Sequence, residues 1–432
     1  MTARTEISVY DRMCWPEAEL ERALASGAHR RELAAYLGGN EYQTLRALAQ
    51  QCARAHRKPP PRGGRLKVYL LPGILGTQLG TVRGAGEPPD LLWIDPTDIV
   101  AGRLIELSPA HRGARPLQPL GAIVYSYLAL KLRLSAAGFD VVLHGYDWRG
   151  DILAAGAKLA ELLAADPSAR LALVGHSMGA LLARAALTHY GTAMGAERIV
   201  RIVGMGAPHA GSIAAVQALR ATYPIVARLA AIDQRHDAET LTRVAFRRFA
   251  SVYQLLPARS GELDLYHPRA WPRRGGRPDA KLLHTARGFR EKLASPDPRF
   301  CSIIGTGQRT VTGVARFGEQ FRYQVTSAGD GTVPTACATL PGMRSYGVRC
   351  EHSELPRSEL VAAALIDLLR HGHTRRLREG TSERPGRSSY VTDAGLRREL
   401  NRPVDWYRLG SAQHRRYLNR LNEPPASYRA RL

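Results

Sequence analysis

The chain predicts an α/β protein, a mostly parallel sheet with helices on both faces. Three observations carry this. From Leu66 onward, short apolar runs alternate with amphipathic helical stretches. The chain has 432 residues and 44% hydrophobic content, enough for a large core. Its charged content of 23% and aromatic content of 7% are ordinary for a globular protein, which excludes a disordered or collagen-like chain.

The elements follow in order. Residues 16–57 read as helix, with Pro16 at a first-turn position and Glu17 and Glu19 near the positive dipole end. Gly38-Gly39-Asn40 breaks this run, and the Pro/Gly-rich stretch 58–64 reads as a linker. Residues 1–57 are therefore expected as a helical N-terminal appendage. In the core, 66–370, strands are expected at 67–71, 139–143, 171–174, 199–203 and 300–304. Helices are expected at 122–137, 151–165 and 178–190, the last ending at Gly191, with a hairpin over 311–326 and a final helix over 355–370. A mixed, Arg-rich insertion, about 209–298, interrupts the rhythm. Its residues Ile213, Val216, Leu219, Tyr223, Val226 and Leu229 recur at helical spacing, and 272–278 reads as mobile and basic. Residues 371–432 hold 14 Arg against 6 acids and read as a basic C-terminal tail. Within it, Trp406, Tyr407, Tyr417, Leu418 and Leu421 suggest a short helix able to dock.

Formal net charge is +23, and only six of the 61 basic residues are Lys. An arginine skew of this kind reflects either GC-rich coding or a polyanionic partner such as anionic lipid, nucleic acid or polyphosphate. The charge is spread along the whole chain and no nucleic-acid-binding motif is evident, which argues against nucleic acid. Five scattered cysteines without CxxC spacing argue against a disulfide framework and a zinc site. Residues 1–20 show no apolar signal region, and no run of about 18 apolar residues occurs. A soluble, cytoplasmic protein is the expectation.

The strongest chemical signal is Gly175-His176-Ser177-Met178-Gly179, between a predicted strand and a predicted helix. That is the context of a nucleophile elbow: a tight strand-to-helix turn lifts a serine hydroxyl above the sheet edge. An activated serine needs a base, and the base needs an orienting carboxylate, in chain order Ser, Asp or Glu, His. Asp330, in Gly329-Asp330-Gly331, and His352, just before the final helix, fit that order. Asp147, Asp233 and Asp237 compete with Asp330. His209, His267, His284, His371 and His373 compete with His352. The oxyanion needs two backbone donors, expected from Met178 and, in the loop 72–79, from Ile74. Trp93, His176 and His209 are candidate substrate-binding residues. The chemistry calls for no metal or organic cofactor.

These segments carry a resemblance. Pro72-Gly73-Ile74-Leu75-Gly76-Thr77-Gln78-Leu79, Tyr146-Asp147-Trp148-Arg149, the elbow, Gly206-Ala207-Pro208-His209-Ala210-Gly211-Ser212, Ser251-Val252-Tyr253-Gln254-Leu255-Leu256-Pro257 and Gly329-Asp330-Gly331-Thr332-Val333-Pro334 resemble motifs of the lecithin:cholesterol acyltransferase-like branch of the α/β-hydrolases. The resemblance spans roughly 66–370. It implies an α/β-hydrolase fold, a lid in the insertion, and esterase, phospholipase or acyltransferase chemistry on a lipid-like ester through an acyl-enzyme on Ser177. The basic charge, for its part, makes peripheral contact with an anionic membrane surface a further expectation. Where the family's pattern has an aromatic after Ala-Pro, this chain has His209. Acyl transfer and intracellular polyester depolymerisation are alternatives within the enzyme class. A basic adaptor on a vestigial hydrolase core is the alternative outside it.

Overall fold

The computed structural model describes residues 6–57, 59, 64–113, 115–190, 196–381 and 387–428. Most of the expected linker and the helix end at Gly191 lie outside them. The centre is a seven-stranded sheet in the order 378–379, 344–349, 300–306, 199–205, 171–176, 67–71, 140–143. All pairs are parallel except the short edge strand Arg378–Glu379. Every expected core strand is present, because apolar runs buried on both faces are what a covered parallel sheet requires. Alternate residues of Lys67–Leu71 split between the two faces. Val68 and Leu70 join Leu130, Val174 and Leu365 on one side, and Tyr69 and Leu71 join Leu159, Leu173 and Leu182 on the other. The helices Val124–Ala136 and Glu359–His371 cover the first side, and Ile152–Ala165 and Met178–Tyr190 the second. The architecture is that of an α/β-hydrolase.

A small second sheet escaped the sequence. Thr77–Thr81, Asp90–Trp93 and Gln118–Ala122 form a small antiparallel sheet. Its Gly- and Pro-containing strands carry no clean period-2 pattern, so nothing local announced them.

The N-terminal helices Glu17–Ser26, Arg30–Leu37 and Gly39–His56 break twice, not once. The unforeseen break is at Gly27, which takes a left-handed φ of 83° that ends the first helix. Leu20, Leu24, Leu33, Tyr42 and Leu45 pack against Leu128, Ala129 and Leu132 of Val124–Ala136. Lys131, on the same helix, pairs with Glu17 and Glu21.

The insertion folds into short helices, including Ile213–Leu219, Pro224–Ile232 and Ala238–Val244. Ile213, Val216, Leu219, Val226 and Leu229 are buried in the main core. The segment read as mobile is clasped. Arg220 donates to the carbonyls of Pro272, Arg274 and Gly276, and Arg247 to that of Gly275.

The described residues after 371 are stitched into the fold. Ser389–Thr392 adds a strand to the hairpin Thr310–Phe317/Gln320–Thr326, and Asp393–Leu400 is a helix. Asp393 (1% exposed) meets Arg220 (0%) at 2.7 Å and also accepts from Tyr323 Oη and the Phe321 N–H. Val404 N donates to Ala231 O at 2.8 Å, and Gln217 Nε2 to Tyr428 Oη at 2.6 Å. The sequence reads this segment as a basic tail with a helix able to dock; most of its arginines are exposed, but Asp393 finds a buried partner, and its few apolar residues (Leu396, Leu400, Trp406, Leu421) join the core.

Candidate active site

The strand Leu171–His176 turns at Ser177 into the helix Met178–Tyr190. Ser177 has φ 52°, in the left-handed region, which costs an L-residue about 1–2 kcal/mol. The turn is held by Ser177 N donating to Met205 O at 2.8 Å and Ala180 N to Ser177 O at 3.0 Å. Only glycine fits beside it. A Cβ on Gly175 would lie 2.3 Å from Ala180 N, and one on Gly179 2.2 Å from Leu71 O.

His352 opens a short 3₁₀ turn after the strand Arg344–Arg349. Its Nδ1 lies 2.7 Å from Asp330 Oδ2, and its backbone N–H donates to Asp330 O at 2.8 Å. Asp330 is 2% exposed, and its Oδ1 accepts from the N–H groups of Thr332 (3.0 Å) and Val333 (2.7 Å). The carboxylate is thus aimed from its own loop, and the imidazole is held on its Nδ1 side with Nε2 left available. The strand-end segment 206–212 braces this loop, as Ser212 Oγ donates to Thr332 O at 2.5 Å.

The loop 72–77 approaches the elbow closely: a Cβ on Gly73 would lie 2.9 Å from Ser177 Cβ. Gly73 N donates to Tyr127 Oη (2.9 Å), Tyr146 Oη to Pro72 O (2.8 Å), Trp148 Nε1 to Thr77 O (3.0 Å) and Trp93 Nε1 to Leu75 O (2.8 Å). Arg149 turns back to Asp147 at 2.7 Å and donates to Leu107 O. Ser251 Oγ donates to Trp148 O at 2.6 Å. The Tyr-Asp-Trp-Arg and Ser251–Pro257 segments are therefore scaffolding for the loop that carries Ile74.

His176 is tied down on both nitrogens. The carbonyl of His352 can only accept, so Nε2–H donates to it at 3.0 Å, and Nδ1 accepts from Tyr127 Oη at 2.9 Å. Burial, and then the proximity of His352, push His176 down to about 3, so it stays neutral. Gly73, Tyr127, His176 and His352 form one hydrogen-bonded chain that locks the loop to the histidine backbone. Tyr127 had no sequence signal, being one aromatic on an apolar helix.

Ser177, His352, Ile74, His176 and Trp93 line one mostly apolar cavity of about 280 Å³. Tyr223 and Ile225 are the insertion's contribution. Both ends of the chain add to the wall: Tyr10, Tyr36 and Leu37 from the N-terminal part, and Arg415, Leu418 and Asn419 from the C-terminal part. No sequence signal joined segments nearly four hundred residues apart.

A family model for lecithin:cholesterol acyltransferase matches residues 138–357, just over half of the chain. The chain belongs to that family. No curated protein matches its sequence. Among solved structures it is similar to the Bacillus licheniformis lipase BlEst2 in propeptide form (14% identity, 76% of this chain and 54% of that one, TM-score 0.39). The mature form of that lipase gives 16%, 72% and 94%, TM-score 0.36, and a structure titled the Tle4–Tli4 complex gives 15%, 71% and 98%, TM-score 0.40. The chain thus spans about half the length of the propeptide-form lipase. Family membership supports an enzyme that hydrolyses or transfers acyl groups.

In this family member, the competing acids and histidines lie elsewhere. Asp233 pairs with His236, Asp237 caps its own helix through Thr240 N, and His267 accepts from Arg269 N. His284, His371 and His373 lie outside the cavity wall. His209 is likewise not a lining residue. It is 3% exposed, neither ring nitrogen has a hydrogen-bond partner among the described residues, and burial followed by the charges of Arg184 and Arg290 pushes it down to about 3. The five cysteines are unpaired, and the described residues hold no group of three or more potential metal ligands. No helix among them is long and apolar enough to cross a membrane.

Proposed function

We propose that the chain is a serine hydrolase of lipid-like esters working through an acyl-enzyme. Ser177 Oγ attacks the ester carbonyl while His352 Nε2 takes its proton. Asp330 holds Nδ1–H and stabilises the imidazolium. The N–H groups of Met178, at the helix start, and Ile74 receive the oxyanion. His352 then protonates the departing alcohol. Water, activated by the same histidine, attacks the acyl-Ser177 and regenerates the enzyme. An alcohol in place of water makes the same half-reaction a transfer. Trp93 and Ile225 supply apolar wall for the acyl chain, and His176 positions His352. The unpaired cysteines are in keeping with the reducing cytoplasm as its place of action.

One observation supports this reading above the rest: the 2.7 Å Asp330–His352 bond stands beside a strained serine turn, and both open onto one apolar cavity. The test is labelling by an alkyl fluorophosphonate with mass mapping of the adduct. Labelling at Ser177, absent in Ser177→Ala, is expected, with p-nitrophenyl ester turnover falling by at least ~10³-fold in that variant. Labelling elsewhere, or retained turnover, removes Ser177 as nucleophile. Product analysis with added alcohol separates hydrolysis from transfer.

A further inference from the structure

The cavity lining contains no Asp, Glu or Lys among the described residues, and a single Arg. Arg415 sits on Ser411–Asn419, a helix near the C-terminus and outside the family-matched region. One of its guanidinium nitrogens, Nη1, donates to Ala35 O on the N-terminal helix. Its other N–H donors have no protein partner among the described residues, and no carboxylate pairs with it. By contrast, Arg103 is paired with carboxylates, and Arg220 with Asp393 and three carbonyls. A half-used guanidinium in the wall of a largely apolar cavity is placed for an acceptor that arrives with the ligand.

Its surroundings agree. Asn419 follows Arg415 by four residues, so both project from one face of the helix, and both line the cavity. Tyr10 and Tyr36 line the same cavity, Tyr36 being the residue after the Ala35 that Arg415 bonds. The Arg415 charge reaches the Tyr10 hydroxyl, opposing the effects of burial and Asp95. Asp95 is itself engaged by Ser8 Oγ and the Thr97 N–H. A guanidinium, an amide and two phenols thus line one cavity whose wall, among the described residues, holds no carboxylate.

We propose that Arg415 is the anion-binding residue of this cavity, and that the ester acted on carries a phosphate or carboxylate in its non-reacting part. This rests on the acyl-hydrolase reading for the word ester, but the anion site stands on its own geometry. A guanidinium binds either oxyanion through paired N–H donors, and Lys can supply the charge without the fork.

The test is equilibrium binding to the full-length Ser177→Ala protein at about 0.15 M salt, where diffuse attraction to a +23 surface is screened. The ligands are dodecyl phosphate, dodecanoate and dodecanol below micellar concentration, followed by titration calorimetry. One site per chain is expected, with at least one anion bound roughly tenfold or more tighter than the alcohol. Arg415→Gln should collapse that ratio about tenfold, and Arg415→Lys should restore part of it. The better anion tells a phosphate from a carboxylate. Equal affinity for all three ligands overturns the proposal. So does an Arg415→Gln variant that weakens all three alike, because Arg415 would then only latch the two chain ends together. Fluorophosphonate labelling of the parent protein is run beside it. Its failure sinks the hydrolase reading and leaves the anion preference to be judged by the binding ratio alone.

Discussion

The insertion at 209–298 and the C-terminal segment after 371 both reach the cavity, but they are held there by different forces. The insertion is anchored by apolar burial: Val216, Leu219, Val226 and Leu229 are fully inside, and only Tyr223 and Ile225 face the cavity. The C-terminal segment has a strand, a buried Asp393 and a few core side chains, but it is held along its exposed length by arginine–carbonyl bonds. Arg228 grips the carbonyls of Arg420 and Leu421, Arg309 those of Tyr428 and Arg387, and Arg415 that of Ala35. Burial is non-directional and strong, so the insertion is a fixed wall. Exposed hydrogen bonds are each worth little net, so the helix 411–419 is the wall most easily opened. The difference also bears on the basic composition. Many of the arginines are spent on the chain's own carbonyls, as Arg198 is on those of Leu163, Asp166 and Ser168.

Three measurements can break or sharpen this contrast. The largest effect is expected at the joint between the two regions. Asp393→Asn leaves Arg220 buried without its counter-charge and should cost about 3–5 kcal/mol in urea unfolding. A loss below ~1 kcal/mol would mean that the segment is only loosely attached. Next, Leu229→Ala in the insertion should cost about 2–5 kcal/mol, as for any fully buried leucine. Leu418→Ala, half-exposed in the cavity wall, should cost under ~1 kcal/mol and show instead as a raised KM. Equal losses at both positions would erase the distinction between fixed and openable walls.

A fourth measurement concerns His209, apart from that contrast. Its two unpartnered ring nitrogens make a phenyl ring the better occupant, so His209→Phe should stabilise by about 1 kcal/mol. The pH dependence follows. A histidine lowered to about 3 in the folded state but near 6.5 unfolded keeps the unfolded chain more protonated between those values. Stability is therefore whole above pH 6.5 and falls on acidification, at up to about 1.4 kcal/mol per pH unit for His209 and likewise for His176. His209→Phe should flatten the slope between pH 4 and 6 by about one proton. An unchanged slope would show that His209 finds a partner in solution.

Legibility varied along the chain for physical reasons. The sheet could be read because each strand announces itself by a local apolar run, and the elbow because its glycines are forced by contacts under 3 Å. Asp330 and His352 could be proposed from chain order, but choosing them over Asp147 or His267 needed their distances. Tyr127 was invisible, since its role lies in what its hydroxyl meets, Gly73 and His176, and not in its neighbours in sequence.

By itself, the sequence determined the alternation of elements, the serine turn and the family, because each is written in residues within a few positions of one another. Tertiary structure alone decided which apolar stripe became core and which acid met which histidine. It also decided that the two ends of the chain close the cavity. Those outcomes depend on the meeting of side chains from distant segments, and only the packed chain brings such partners within reach of a hydrogen bond or a buried contact.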